Sequence, residues 1–213
     1  MTLSVSPAQL SQLAPNARSS YREAFAAGPG VLDRFEISVK SLRLAHFMAQ
    51  VLHESGALTV QFENLNYSAE RLPKVWPSRF KPRGPLDPAA YAHNPQKLAN
   101  EVYGGRMGNT GPDDGWRYRG RGLLQLTGRD AYAAATAFLR TPYPQAPDFA
   151  ADPDAVMAAD WCVKVAAVEW FVKGCNARAD KDDIVAVTRA INGGTIGLAE
   201  RREWLKRTRF VWP

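Results

Sequence analysis

Apolar side chains recur along this chain at intervals of three and four, the spacing that places them on one face of a helix. The clearest stretch is LRLAHFMAQVLHESGALTVQFE, Leu42 to Glu63. Leu44, Met48, Val51, Leu52 and Ser55 form its buried stripe, Gln50 and Glu54 share another face, and Gly56 is placed to end the helix. Earlier, residues 3–27 read as one or two short helices, with Ser6 as cap and Pro7 in the first helical position. Gly28-Pro29-Gly30 breaks the pattern, and 31–37 form a short helical or turn segment.

After Ser68-Ala69-Glu70, which suggests a helix start, six prolines fall between Pro73 and Pro95 and predict loops and short helices. A helix runs from Pro95 through Tyr103 to Gly104-Gly105. Residues 104–122 are glycine-rich and polar; LLQLTGRDAYAAATAFL then turns from an extended piece into a helix, with Thr127 placed to cap it and Asp130 three later. Asp160 to Lys173 is an apolar helix with Trp161, Val165, Val168 and Val172 on one stripe, Asp182 to Ile191 is another, and a basic helix spans about 197–208. The total is about eight helices with almost no alternating strand. The predicted class is mainly α.

The 213 residues suit one domain that buries about 70% of its unfolded surface. No run of about 18 apolar residues is present, so stable membrane insertion is not expected. The N-terminus lacks a basic region followed by an apolar core, which reads as no secretory signal. The two cysteines, 13 apart and without histidine companions, read as reduced thiols rather than a disulfide or zinc site. The net charge of +6 favours polyanionic partners, either nucleic acid or an anionic wall polymer.

Hydrolysis of a glycosidic bond requires one protonated carboxyl and one ionised carboxylate. Glu54 and Glu63 are candidates. On a continuous helix nine residues span about 900°, which sets them on opposite faces. Gly56 permits the following segment to turn back. Glu54, beside an apolar stripe, is the expected acid, and Glu63, near Asn64 and Asn66, the expected base. His53 reads as a packing or hydrogen-bonding residue, since no second histidine follows at helical spacing. In an extended reading Gln125 and Thr127 point to one side and Leu124 and Leu126 to the other. Asn192, before Gly193-Gly194, either ends a helix or holds an N-acetyl group. The basic tail, including Arg201, reads as a solvated face or as a surface for an acidic polymer.

Taken together, HES with a glutamate nine later in FENLNYSAERL, AYAHNPQKLANEVYGGRMGN and GWRYRGRGLLQLTGRDAY resemble glycoside hydrolase family 19. The likeness covers about residues 5–208 and is nearer to the phage endolysin and lysozyme-type members than to plant chitinases. It implies a lysozyme-like helical fold of one catalytic domain, 1–213, with no separate wall-binding domain. A larger lobe (about 1–66 and 118–213) and a smaller one (about 67–117) would flank a deep cleft. It implies inverting hydrolysis without metal or organic cofactor, with the two carboxyls about 6.5–9.5 Å apart. Glu54 falls on the general acid, Glu63 on the general base, and Thr127 on the residue that helps hold the attacking water. Gln125 and Asn192 fall on sugar-binding positions, and His53, Tyr67 and Arg201 join the candidate substrate-binding set. The plant disulfides and longer loops are missing, and Glu169 in AAVEWF reads either as a surface residue or as an extra cleft carboxylate.

The expected activity is that of a monomeric muramidase on peptidoglycan glycan strands, held in the bacterial cytoplasm until it reaches the wall. A chitinase of the same family is the alternative. A non-catalytic basic binder of wall polymer or nucleic acid is the alternative of another class. The carboxylates and Thr127 argue against it and against a nucleic-acid partner.

Overall fold

The computed structural model describes residues 3–213. Twelve α-helices account for nearly all of its regular structure: α1 Pro7–Leu13, α2 Ser19–Ala27, α3 Pro29–Arg34, α4 Ser41–Glu54, α5 Leu72–Val75, α6 Pro95–Tyr103, α7 Asp114–Arg117, α8 Arg129–Arg140, α9 Ala159–Val172, α10 Cys175–Ala179, α11 Ile184–Asn192 and α12 Leu198–Val211. The count exceeds the expected eight because short helices such as α5 and α7, of four residues each, carry too little periodicity to register. Ser6 and Gln9 form a reciprocal capping box at α1, which starts on Pro7.

The central helix α4 differs from a simple amphipathic reading. Every residue from Leu44 to Leu52 is buried. Leu44, Phe47, Met48, Val51 and Leu52 face the main core, where Phe47 meets Trp170 of α9 edge-on at 5.5 Å. The opposite side carries Ala45 and Ala49, one turn apart, which pack against Leu205 of α12. The two alanines let α12 approach until the Thr208 hydroxyl donates to the Ala45 carbonyl at 2.9 Å. Each large apolar side chain buried here stabilises the fold by roughly 1.5–3 kcal/mol, so packing and not helix propensity secures α4. In α9 the stripe predicted through Val172 stops early. Val165 and Val168 are buried, but Val172 is 62% exposed, and Cys162, Ala166, Ala167 and Trp170 supply the rest of the contact. Cys162 and Cys175 are free and buried, and burial pushes each thiol up to about 12.

A second, smaller apolar cluster joins Leu65, Leu72, Phe80, Leu98, Ala99 and Val102, with Tyr67, Trp76, Tyr91, Tyr103 and Trp116 around it. α6 is thereby fixed against the segment that follows Glu63.

Two local structures connect the cores. After α4, Gly56, Ala57 and Leu58 all take left-handed φ values of 53°, 57° and 64°, and Ala57 N–H donates back to the Leu52 carbonyl at 2.7 Å. Three consecutive left-handed residues reverse the chain. Two of them are not glycine and each costs roughly 1–2 kcal/mol, which is offset by the buried Leu58 side chain and by Ser55, whose hydroxyl accepts from Leu58 N–H at 3.0 Å. The reversed segment then pairs antiparallel with the glycine-rich run: Gly122 N–H donates to Gln61 O at 2.7 Å and Glu63 N–H to Gly120 O at 3.0 Å. Arg121 pairs in turn with Leu126 through two backbone bonds of 2.8 and 3.1 Å. These isolated bridges flank Gln125, but residues 122–125 form a turn and not the extended piece expected there.

A charged network braces α4 against α10–α12. Arg43 and Lys40 hold Asp180, and Arg209 and His46 hold Asp182. Burial drives His46 below its ordinary pKa against the opposing pull of Asp182, so the ring is neutral and its Nε2–H donates to Asp182 at 2.9 Å. His53 is lowered in the same direction, by burial and then by Arg201.

Two stability experiments test these readings. Ala at position 56 must adopt φ near +53°, with its Cβ 3.2 Å from Val60 Cγ2. Gly56→Ala should therefore lose about 1 kcal/mol, a fall of about 2–4 °C in the thermal midpoint; an unchanged or higher midpoint would refute the left-handed reversal. Because His46 and His53 are lowered in the fold, the unfolded chain binds more protons just below its own histidine pKa of about 6.5. Stability should be flat above that pH and fall on acidification towards pH 5. Asp180 and Asp182, held low chiefly by hydrogen bonds from Arg43 and Arg209, titrate further down and contribute little in this window. Denaturant midpoints at pH 7.5, 6 and 5 read the slope directly, and His46→Gln should flatten it.

Candidate active site

Glu54 is the last residue of α4, and Gln50 lies one turn before it. Both meet Arg201, in the first turns of α12. Arg201 was expected on a solvated face or among the groups that bind substrate, yet it is 1% exposed and its guanidinium is turned onto α4. Its Nη1 donates to Gln50 Oε1 and its Nη2 to Glu54 Oε1, each at 2.5 Å. A guanidinium this deep needs its donors met, because an uncompensated buried charge costs several kcal/mol, and Gln50 and the Glu54 carboxyl each accept one. Glu54 Oε2 accepts no hydrogen bond among the described residues. His53 packs against the Gly197 backbone just before α12.

Glu63 is held by a different set. Its Oε1 accepts the Gly120 N–H at 2.7 Å and its Oε2 the Tyr103 hydroxyl at 2.7 Å. Burial, reinforced by the Glu63 charge, raises the Tyr103 pKa and keeps the phenol a donor. Gly120 stands where three side chains meet: a Cβ there would fall 2.8 Å from Gln125 Oε1, 3.2 Å from Thr127 Oγ1 and 3.4 Å from Glu63 Oε1. Only glycine leaves that space open. Gln125 and Thr127 gather at one point, but not through extended alternation. Gln125 has φ +56° in a turn, and its carbonyl accepts the Thr127 hydroxyl at 2.7 Å. Nor does Thr127 cap α8. The cap position is Gly128, and the side chain that meets the helix start is Asn109, whose Oδ1 accepts Arg129 N–H at 3.0 Å. Asn109 Nδ2 also donates to Tyr103 O at 2.9 Å, tying the Tyr103 backbone to the helix that follows Thr127.

The glycine-rich run is knotted by Arg121, which is 4% exposed. It donates to Asp154, to the Arg117 and Arg119 carbonyls and to the Tyr132 hydroxyl. Beside Glu63 lies a groove of about 440 Å³ whose walls include Arg18, Phe62, Asn64, Asn66 and Trp116. Phe62 is 48% exposed, and the Arg119 guanidinium stacks on the Trp116 ring at 3.6 Å.

The predicted residues thus fall into two sets. Glu63, Gln125 and Thr127 come together, with Tyr67 near by in the cluster that contains Tyr103. Glu54, Arg201 and His53 form the other set. Among the described residues no hydrogen bond joins the two carboxylates. Asn192 is exposed at the end of α11 and contacts neither set by hydrogen bond. Glu169 pairs with Lys173 at 2.7 Å and lines an apolar groove between α8 and α9 whose walls include neither Glu54 nor Glu63. Tyr103, Gly120 and Asn109 escape sequence reasoning because their partners are 40, 57 and 20 residues away. The available signal was the unusual density of glycine around 120. Among the described residues no cluster of three or more His, Cys, Asp or Glu is arranged to hold a metal ion.

Tyr103→Phe removes one charge-assisted bond of about 1.5–3 kcal/mol without emptying the core. It should lower kcat on glycan about tenfold or more while leaving KM and the fold nearly unchanged; turnover within twofold of the native chain would separate Tyr103 from the chemistry.

No family model matches the chain. A protein of Haemophilus influenzae described as a glycosyl hydrolase family 19 domain-containing protein is 35% identical over 206 residues, covering 94% of each chain. Among solved structures, chitinase C from Streptomyces griseus aligns at a TM-score of 0.59 with 19% identity, covering 98% of this chain and 92% of that one. A bacterial family 19 chitinase aligns at 0.57 with 22% identity, covering 96% and 94%. A class IV chitinase from Zea mays aligns at 0.54 with 18% identity, covering 96% and 92%. The structures share the helical lysozyme-like fold, and the full-length likeness to the Haemophilus protein, with that fold beneath it, places this chain in glycoside hydrolase family 19.

Proposed function

We propose that this glycoside hydrolase is an endolysin-type muramidase, cutting the β-1,4 bond between N-acetylmuramic acid and N-acetylglucosamine with inversion. The observation that carries the reading is the meeting of Glu63 and Thr127 around the bare Gly120 backbone. The Thr127 hydroxyl gives its proton to Gln125 O, so its oxygen faces outward as an acceptor. A water between Thr127 and Glu63 then donates one hydrogen to each and directs a lone pair at the anomeric carbon. Glu63 takes the proton as the new carbon–oxygen bond forms. The carbon–oxygen bond to the leaving sugar breaks, and Glu54 Oε2, with Oε1 anchored on Arg201, protonates the departing oxygen. Both carboxyls return to their starting states after proton exchange with water. Gln125, Tyr67, His53 and Asn192 are assigned to holding sugar, and exposed Phe62 offers a ring face for it.

The net charge of +6 supports an anionic glycan over a neutral one. Chitin hydrolysis is the second reading, favoured by the fold's likeness to proteins named as chitinases.

Glu54→Gln and Glu63→Gln should each lower the release of reducing ends from purified peptidoglycan at least a hundredfold. Mass analysis of the native digest should find muramic acid at the new reducing end. Reducing-end glucosamine, an anhydro end, or release of sugars from chitin alone would replace the proposal.

A further inference from the structure

The groove beside Glu63 contains a cation with nothing to hold. Arg18 directly precedes α2, and its backbone is fixed at both ends: its N–H donates to Leu58 O at 3.0 Å and its carbonyl accepts Arg22 N–H at 3.1 Å. The first of these bonds attaches it to the reversed segment that carries Glu63. Its side chain is exposed on the groove wall with Phe62, Glu63, Asn64 and Trp116. Among the described residues its guanidinium makes no hydrogen bond, ion pair or ring contact. The neighbouring arginines are occupied. Arg22 spans Ser11 and three carbonyls, Arg119 stacks on Trp116 and reaches Phe62, and Arg121 is knotted into the glycine-rich run.

We propose that Arg18 is an anion subsite that takes a carboxylate carried by the glycan strand, and so sets the preference for muramyl over neutral strands. The inference rests on the muramidase reading. A guanidinium offers a planar fork that fits a carboxylate with two hydrogen bonds. A chitin strand has no carboxylate. A peptidoglycan strand has one at every second sugar, either on the muramyl lactyl group when the peptide is absent or on the stem peptide when it is present. The Asn64 and Asn66 side chains and the Phe62 ring would meet the neutral parts of the same strand.

The test compares native chain, Arg18→Gln and Arg18→Lys on three forms of one peptidoglycan: intact, stripped of peptides by an amidase, and with its carboxylates converted to amides. The native chain should show a kcat/KM about fivefold higher on a carboxylate-bearing form than on the amidated one, the size of one partly exposed ion pair. Most of that difference should lie in KM and shrink with added salt. Arg18→Gln should lose the difference and Arg18→Lys should keep part of it. A preference for stripped strands assigns the lactyl carboxylate, and a preference for intact ones assigns the stem. Cleavage by the native chain with equal efficiency on all three forms overturns the subsite and leaves the muramidase reading standing, as does an Arg18→Gln chain that keeps the native preference. A native chain that releases no reducing ends from any form removes the muramidase reading and this inference with it.

Discussion

Two backbone hydrogen bonds, Gly122 N–H to Gln61 O and Glu63 N–H to Gly120 O, decide where the Glu63 carboxylate sits. They join residues about sixty positions apart, with the whole second apolar cluster inserted between them. A segment this short does not persist as an isolated ladder. It persists because each side is anchored elsewhere. On one side the left-handed run Gly56–Leu58 delivers the chain, and on the other Arg121 holds the glycine-rich run against α8. Gly120 is the point at which these demands meet, since a side chain there would occupy the space that Gln125, Thr127 and Glu63 share.

The second glutamate depends on packing of another kind. Glu54 is presented by a helix that is buried on all sides for nine consecutive residues. Its partner Arg201 comes from α12, which approaches closely only because α4 carries alanine at 45 and 49. Small residues on one helix therefore decide whether a charge on another can be compensated. Stability and the placing of Glu54 are coupled here: Arg201 holds both Gln50 and Glu54, and removing either acceptor leaves a buried guanidinium donor unmet.

The helical class and the central helix were legible in the sequence because both rest on local signals: apolar spacing over 14 residues, a serine cap before Pro7, and a glycine after the last turn. Glu54 and Glu63 stand out as candidates through their place in a recognisable run of residues. What was hidden is non-local. Ala57 and Leu58 adopt a conformation that neither favours, and the burial of Leu58 together with the Ser55 hydroxyl imposes it. Thr127 has the residue type and position of a cap, but the turn at Gln125 draws its hydroxyl backwards, and Asn109 meets the helix start instead. Arg201 looks like one more tail cation until α12 is set against α4. Tyr103 gives no sign of a partner forty residues earlier in the chain.

The two cysteines give the fold an independence from its chemical surroundings. Each thiol is enclosed, and burial pushes its ionisation far above neutral pH, so the thiolate is scarce. Oxidants and disulfides react with the thiolate, so both sulfurs are kinetically silent. No cross-link is needed to close a loop and none is available to be reduced. The fold's integrity rests on packing and polar contacts, and it does not depend on a disulfide that a reducing medium could break.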